Sequence, residues 1–543
     1  AWTDPEYLAQ APLADLVEQE RDFEETDKVV VLAVHGDLVR QAIDVHADLA
    51  AGDQIEVSTT PFAHPILPLL IDTEVASVGD PTGVLPGEPF REFLDADQHV
   101  VRGLDEAQRL LGVRPAGMWP GEGAVSDDAL RIFARNGVSW VATGEQVLAR
   151  SVGLEAVSRD ENDTVREAAE LYQPRVVDTP DGEIAVFFRD NRLSDLIGFE
   201  YSQTPATEAV DDFIARLRAG RDAAIAGGNA APAISVILDG ENAWEHYPND
   251  GSDFLDELYS RLAATPWIRT VTPSAYLAED GPELARLDSI HPGAWFSPIY
   301  ATWIGEAQEA RAGELLRRTR LDLRAAERRG DANAAALAAA TEAMLFAEGS
   351  DWFWWYGADQ DSGDDGFFDR AYRELLGSVY DLIGEDRPAS LAVPLVPAPT
   401  VAPDSAPPDF VTLVLDGAAD AGASLGAFTV DAQTIRYAWA EDALQLVLPT
   451  SIAVDLYLGG GRPVVPRGTT LDGRVLGFDA GAIVRWDGSA ACVVERLPAV
   501  GRHDVDVDCA PVASAAGEVT EIAVPLASLG ALSAGDELRI RVD

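Results

Sequence analysis

The sequence predicts an α/β protein: a (β/α) barrel over residues 1–290, a helical region over 291–385, a Pro-rich linker over 386–408 and a C-terminal β-sandwich over 409–543. Three observations carry this reading. In the first half, apolar strand-like runs alternate with helical patterns, the rhythm of a parallel sheet or barrel. Between about 304 and 382 the composition turns helix-forming. Beyond Phe410, short alternating runs are separated by Gly- and Asp-containing turns, the pattern of a sandwich.

Each element follows from local signals. The barrel strands are expected at Gln54–Ser58, Ala116–Trp119, Ser139–Thr143, Ile184–Phe188, Ala233–Leu238 and Trp267–Val271. The clearest helix is Asp127–Asn136, with Ser126 as N-cap, acids in its first turn and Gly137 just past its end. Glu306–Arg329 is rich in Ala, Glu, Leu and Arg and stops at Gly330; helix resumes over Ala334–Glu348 and around Phe367–Ile383. Between Arg387 and Asp409 lie seven prolines (388, 394, 397, 399, 403, 407 and 408), which favour a stiff extended spacer. Sandwich strands are expected at Thr434–Trp439, Ala443–Leu448, Val454–Leu458 and Glu537–Val542, with Trp439 and Trp486 read as core aromatics or glycan contacts.

Composition narrows the function. Hydrophobic residues make up 47% of the 543, enough for a substantial core. Ninety-two Asp and Glu stand against 40 Lys and Arg, a net charge of −52, and only Lys28 among the cations is a lysine. Such a surface repels nucleic acid and anionic membranes. The acids are dispersed, so the charge fits a high-salt environment, and arginine in place of lysine fits a GC-rich genome. No run of 18 apolar residues is present to span a bilayer. The two cysteines, Cys492 and Cys509, match no zinc spacing and are either one disulfide or two thiols.

Two acids stand at strand ends, where barrel enzymes build their sites. Glu122 follows Trp119-Pro120-Gly121, and Asp239 ends the apolar run Ile234–Leu238. Each has a tryptophan nearby, Trp119 and Trp244. Singly, such acids are common caps and turn formers. As a pair they supply what glycoside hydrolysis needs, a nucleophile and an acid/base. Trp352 and Trp355 are expected in packing, whereas flat aromatic faces elsewhere suit sugar rings. His35, His46 and His99 read as ordinary helix or surface residues. No His/Cys cluster has ligand spacing, so no catalytic metal and no cofactor are expected. The acid-rich loop at residues 359–365 reads as a solvated turn in preference to a calcium site. Gly422-Ala423-Ser424-Leu425-Gly426 spells a nucleophile elbow but falls in the all-β region, without the required strand-to-helix turn.

Four motifs together resemble glycoside hydrolase family 57. They are Gly52-Asp53-Gln54-Ile55-Glu56-Val57 followed by His64-Pro65-Ile66-Leu67-Pro68, then Trp119-Pro120-Gly121-Glu122-Gly123, then Leu238-Asp239-Gly240-Glu241-Asn242-Ala243-Trp244, and Ser350-Asp351 with Trp354. The likeness spans about residues 1–385 and implies an incomplete (β/α)7-type barrel and a retaining glycosidase or transglycosidase acting on α-glucans. In that reading Glu122 is the nucleophile and Asp239 the acid/base. Glu56, His64, Trp119, Glu241, Trp244, Trp295, Asp351 and Trp354 bind or orient substrate, Trp295 through the loop that His291 opens, with His64 reading equally as a structural histidine. Burial, with Glu241 and Glu122 nearby, is expected to raise the Asp239 pKa. Alternatives are a non-catalytic glycan-binding or scaffold protein, and an α-galactosidase- or α-mannosidase-like specificity. The family's opening His-Gln-Pro strand has no counterpart here. The expectation is therefore a barrel without its first strand, completed by a separate N-terminal polypeptide or belonging to a longer protein whose true N-terminus is missing.

Overall fold

The apolar runs of the first half pair into one six-stranded sheet in the computed structural model. It describes residues 3, 5–21, 23–239, 244–279, 284–330, 333–396 and the strands of the C-terminal region. The strands are β1 (Ser58–Thr59), β2 (Gly117–Met118), β3 (Trp140–Gly144), β4 (Arg175–Thr179), β5 (Gly182–Arg189) and β6 (Ala285–Leu287). Their spatial order is β1-β2-β3-β5-β4-β6. β1, β2, β3 and β5 are parallel neighbours, β4 is antiparallel to β5, and β6 is parallel to β4. Helices connect the parallel strands, so the sheet is the wall of an incomplete (β/α)7-type barrel. β3 is buried along its whole length and β5 from Ile184 to Arg189, which explains why both read as nearly unbroken apolar runs.

Three expected strands are corrected; of Gln54–Ser58 only Ser58 is strand, in β1, and residues 54–57 are irregular. Ala233–Leu238 makes a single parallel bridge, Ser235 to Arg189, and no ladder. Its alternation nevertheless works. Ile234, Val236 and Leu238 pack on the cluster around Phe213, Tyr247 and Phe254, while Ile237 faces Trp140 and Phe187. The period-2 pattern thus reports two packed faces, not a hydrogen-bonded strand. Trp267–Val271 is irregular; the Trp267 ring lies under Arg218 and Arg221 and packs on the Phe213 cluster.

Helix ends follow their sequence signals. The helix after β2 runs Asp127–Arg135, with the Ser126 hydroxyl accepting the Ala129 N–H and Gly137 at φ +80° beyond it. The long helix Ala307–Arg329 starts at Glu306, whose capping box with Glu309 replaces the usual Ser or Thr, and ends at Gly330 in the left-handed conformation.

Buried charges tie the helices around the barrel together. Arg320 forks onto both oxygens of Asp95, at 3.0 Å to one of them, and Arg324 pairs with Glu92. His99 corrects the reading of it as an ordinary helix or surface residue: it is fully buried. Its Nδ1 donates to the Phe62 carbonyl, leaving Nε2 to accept from Glu348 at 2.9 Å. Burial pushes the His99 pKa down to about 4, so its ring is neutral at pH 7, and burial holds Glu348 well above the carboxylate range.

Residues 1–360 and 375–391 form one compact unit, and 361–374 with 392–543 form a second. The helical residues 291–360 belong to the same unit as the barrel. In the linker, Ala389–Ala392 is a 3-10 turn and Leu395 is buried; residues 397–408 lie outside the described residues. In the second unit, Asp361, Asp364 and Asp365 accept backbone N–H groups of Gly363, Phe367 and Ser362, as turn and helix-cap acids do. Two antiparallel sheets follow. One has five strands: β7 (Gly426–Val430), β8 (Gln433–Trp439), β9 (Ala443–Leu448), β15 (Ser514–Ala516) and β16 (Thr520–Pro525). The other holds β10 (Val454–Gly459), β11 (Arg467–Thr469), β12 (Val475–Trp486), β13 (Ala491–Val494), β14 (Cys509–Val512) and β17 (Arg539–Val542). Cys492 on β13 is disulfide-bonded, which settles the choice left open by its spacing. Residues 422–425 of the Gly-x-Ser-x-Gly string lie outside the described residues.

Candidate active site

Glu122 sits on a backbone that only its neighbours permit. The turn Gly121–Gly123 puts Glu122 at φ +52° and Gly123 at φ +57°. A side chain at Gly121 would lie 2.4 Å from the Pro65 carbonyl, and one at Gly123 would meet Trp119 and Trp295 under 3 Å. Glycines on both sides therefore let a carboxylate occupy a left-handed position against a crowded wall.

The loop after His291 closes over this turn. Val125 and Gly293 exchange backbone hydrogen bonds, the Tyr300 hydroxyl donates to the Val125 carbonyl, and the Trp295 N–H donates to the Glu122 carbonyl at 3.0 Å. The Trp295 indole N–H then donates to Glu122 Oε2 at 2.9 Å. His64, itself at φ +51°, supports the turn from the other side. The Glu122 N–H donates to its Nε2 at 3.3 Å, so Nδ1 carries the proton and donates to Ser350 Oγ at 2.9 Å. The Ser350 N–H returns to the His64 carbonyl at 3.1 Å. One step along the chain, Asp351 begins the short helix Ser350–Trp354.

Burial raises the Glu122 pKa above the ordinary glutamate value. The Trp295 N–H and the His64 ring oppose the rise; the Asp239 and Asp351 carboxylates add to it. These two acids are therefore in electrostatic range of Glu122, and both are exposed. The expectation of burial at Asp239 is corrected: Asp239 is exposed, and Glu122 is the half-buried member of the pair.

The remaining sequence-predicted residues divide. Trp119 is half-buried, its N–H held by the Thr59 carbonyl and its ring against Gly123. Trp354 joins an aromatic chain with Phe296 and Trp303, centroids 6.2 and 5.7 Å away, and Phe296 leads to Trp295 at 5.3 Å. Trp352 and Trp355 are only half-buried, less than the packing expectation. Glu56 is not aimed at a vacant pocket. Its carboxylate accepts the Trp140 indole N–H at 2.8 Å and the Ser274 N–H and hydroxyl at 2.9 and 2.5 Å, pinning β3 to the helix Pro273–Leu277. Trp244 packs on Tyr247 and Phe254 in a hydrophobic cluster. Glu241 lies outside the described residues. His291 is a structural histidine, its Nε2 on the Pro298 carbonyl at 3.0 Å.

Two contributors escaped the sequence reading. Ser350 anchors His64, and Arg189, at the end of β5, lies with its guanidinium carbon 4.4 Å from the Trp295 ring centroid. The strand-end rule that found Glu122 and Asp239 also applies to the arginine ending Ile184–Phe188, but was applied to acids alone. Among the described residues, no group of three or more His, Cys, Asp or Glu could hold a metal ion, and no helix is long and apolar enough to cross a membrane.

Three solved structures are similar to the chain. A branching enzyme of GH57 type from Pyrococcus horikoshii is 15% identical, TM-score 0.47, with 64% of this chain and 73% of that one covered. The α-amylase AmyC from Thermotoga maritima is 14% identical, TM-score 0.47, covering 67% and 74%. A GH57 branching enzyme from Thermococcus kodakaraensis in complex with glucose is 14% identical, TM-score 0.49, covering 68% and 74%. No curated protein matches the chain. The family model described as Glycosyl hydrolase family 57 matches residues 13–286, half of the sequence. The chain belongs to glycosyl hydrolase family 57 and is a glycoside hydrolase or transglycosidase.

Proposed function

We propose that this enzyme acts on α-glucans of the starch, glycogen or maltodextrin type by a retaining, double-displacement mechanism on Glu122 and Asp239. The observation that carries the reading is Glu122 itself, a half-buried carboxylate on a left-handed turn, one oxygen held by the Trp295 N–H and two further acids in electrostatic range. Glu122 attacks the anomeric carbon while Asp239 protonates the departing glycosidic oxygen. Water or an acceptor-sugar hydroxyl, giving its proton to Asp239, then bonds the anomeric carbon as the bond to Glu122 breaks.

The local geometry supports this division of labour. The Trp295 hydrogen bond fixes the carboxylate and stabilises its ionised form. Asp239 is exposed and so open to an approaching glycosidic oxygen. Asp351 is placed to accept sugar hydroxyls, and Trp119 and Trp354 present partly exposed rings for stacking. A neutral polyhydroxylated substrate also suits a chain of net charge −52.

The test is turnover of maltooligosaccharides and amylopectin by Glu122→Gln and Asp239→Asn. Glu122→Gln is expected to lose on the order of 10³-fold or more in kcat. Asp239→Asn should lose most on natural glucans and least on glycosyl fluorides, whose leaving group needs no proton. Unchanged turnover in Glu122→Gln would remove the nucleophile assignment.

A further inference from the structure

Arg189 is buried, with 3% of its surface exposed, yet it makes one contact to each arm of the candidate site. Its guanidinium stacks on the Trp295 ring, whose N–H holds Glu122. Its Nε donates at 2.8 Å to the carbonyl of Ile237, two residues before Asp239. Nη1 and Nη2 reach Asn191 Oδ1 at 3.1 Å and Asp195 Oδ1 at 2.6 Å, fixing the rotation of the planar group. The run Ala233–Leu238 has no ladder of its own; the Arg189–Ser235 bridge and the Nε hydrogen bond register it on β5, beside the Asp190 N–H on the Ser235 carbonyl and the Ile237 N–H on the Ser194 hydroxyl.

We propose that Arg189 is a positioning residue that sets the Asp239 arm against the Glu122 arm and strengthens the Trp295 donor that holds Glu122. The proposal rests on the reading of Glu122 and Asp239 as the catalytic pair. Two physical effects are combined. A planar cation packed on an aromatic face is orientationally restrictive, and a guanidinium presents donors in a fixed fork, so ring and carbonyl are held together in one geometry. A cation over the indole also withdraws charge from the ring and makes its N–H a stronger donor to the carboxylate. Glu122 faces Trp295, His64, Asp239 and Asp351. The groups around the guanidinium are Trp295, Asn191, Asp195 and the Ile237 carbonyl.

Arg189→Met and Arg189→Lys in the full chain separate the two effects, with kcat, KM and the pH profile of kcat/KM measured beside Glu122→Gln. Arg189→Met is expected to lose roughly 10- to 100-fold in kcat, the scale of a misplacement near 1 Å, with KM within about threefold. Its acid limb should move to higher pH, because a weaker indole donor leaves the Glu122 carboxylate easier to protonate. Arg189→Lys keeps the charge but not the fork, so it should lose kcat with the acid limb in place. A folded Arg189→Met with wild-type kcat, or with lower kcat and an unmoved acid limb, would overturn the proposal while an inactive Glu122→Gln left the catalytic pair standing. If Arg189→Met does not fold, Arg189→Lys decides, and wild-type kcat in that variant would overturn the positioning role. An active Glu122→Gln would remove the pair, and the role of Arg189 with it.

Discussion

Glu122 shows how a few residues convert a glutamate into a nucleophile candidate. Burial raises its pKa, and a protonated nucleophile is inert. The Trp295 N–H and the His64 ring act against burial, so the carboxyl is a balance of opposing effects. Activity that requires ionised Glu122 is lost as pH falls through its raised pKa, so the acid limb of kcat/KM should lie above the usual glutamate value of about 4.3. Trp295→Phe removes the donor and keeps much of the ring. Since a hydrogen bond to a charged group contributes about 1.5 kcal/mol, the acid limb should rise by about one pH unit. An unchanged limb would mean that another group sets it.

At the scale of elements, the site depends on a buried charged lattice that holds the helix Phe93–Leu111 to Ala307–Arg329. Asp95 and Arg320 are both buried and doubly hydrogen-bonded. Arg320→Met leaves the Asp95 carboxylate without its partner in the interior and should cost about 3–5 kcal/mol in urea unfolding. A loss under about 1 kcal/mol would mean that the carboxylate finds water or another donor. Much of this architecture was legible in the sequence. Ser126, Gly137 and Gly330 marked helix ends because capping is a local interaction. The buried runs in β3 and β5 were legible because a strand covered on both faces has no polar positions. Ala233–Leu238 misled because two-faced packing produces the same alternation as a ladder. His99 and Arg189 were opaque, since their roles come from partners 249 and 48 positions away along the chain. Glu56 shows the reverse limit: its motif was legible, but its engagement with Trp140 and Ser274 was not.

On the scale of the whole molecule, a family 57 unit of residues 1–360 and 375–391 accompanies a second unit that carries two antiparallel sheets and a disulfide-bonded cysteine. The charge of −52 is spread over both, and its arginines are heavily committed to ion pairs, as Arg286 is to Asp178 and Glu183. Exposed pairs of this kind contribute little each. Their functional consequence is exclusion of polyanions, which leaves neutral glucans as compatible substrates. The central claim is that substrate becomes covalently attached to Glu122. Its most direct test treats the full chain with a fluorinated α-glucosyl fluoride that slows release of the glycosyl-enzyme, followed by proteolysis and peptide mass spectrometry. One glycosyl adduct per chain is expected, on the peptide carrying Glu122. An adduct on another carboxylate, or none from enzyme that turns over maltooligosaccharides, would contradict it.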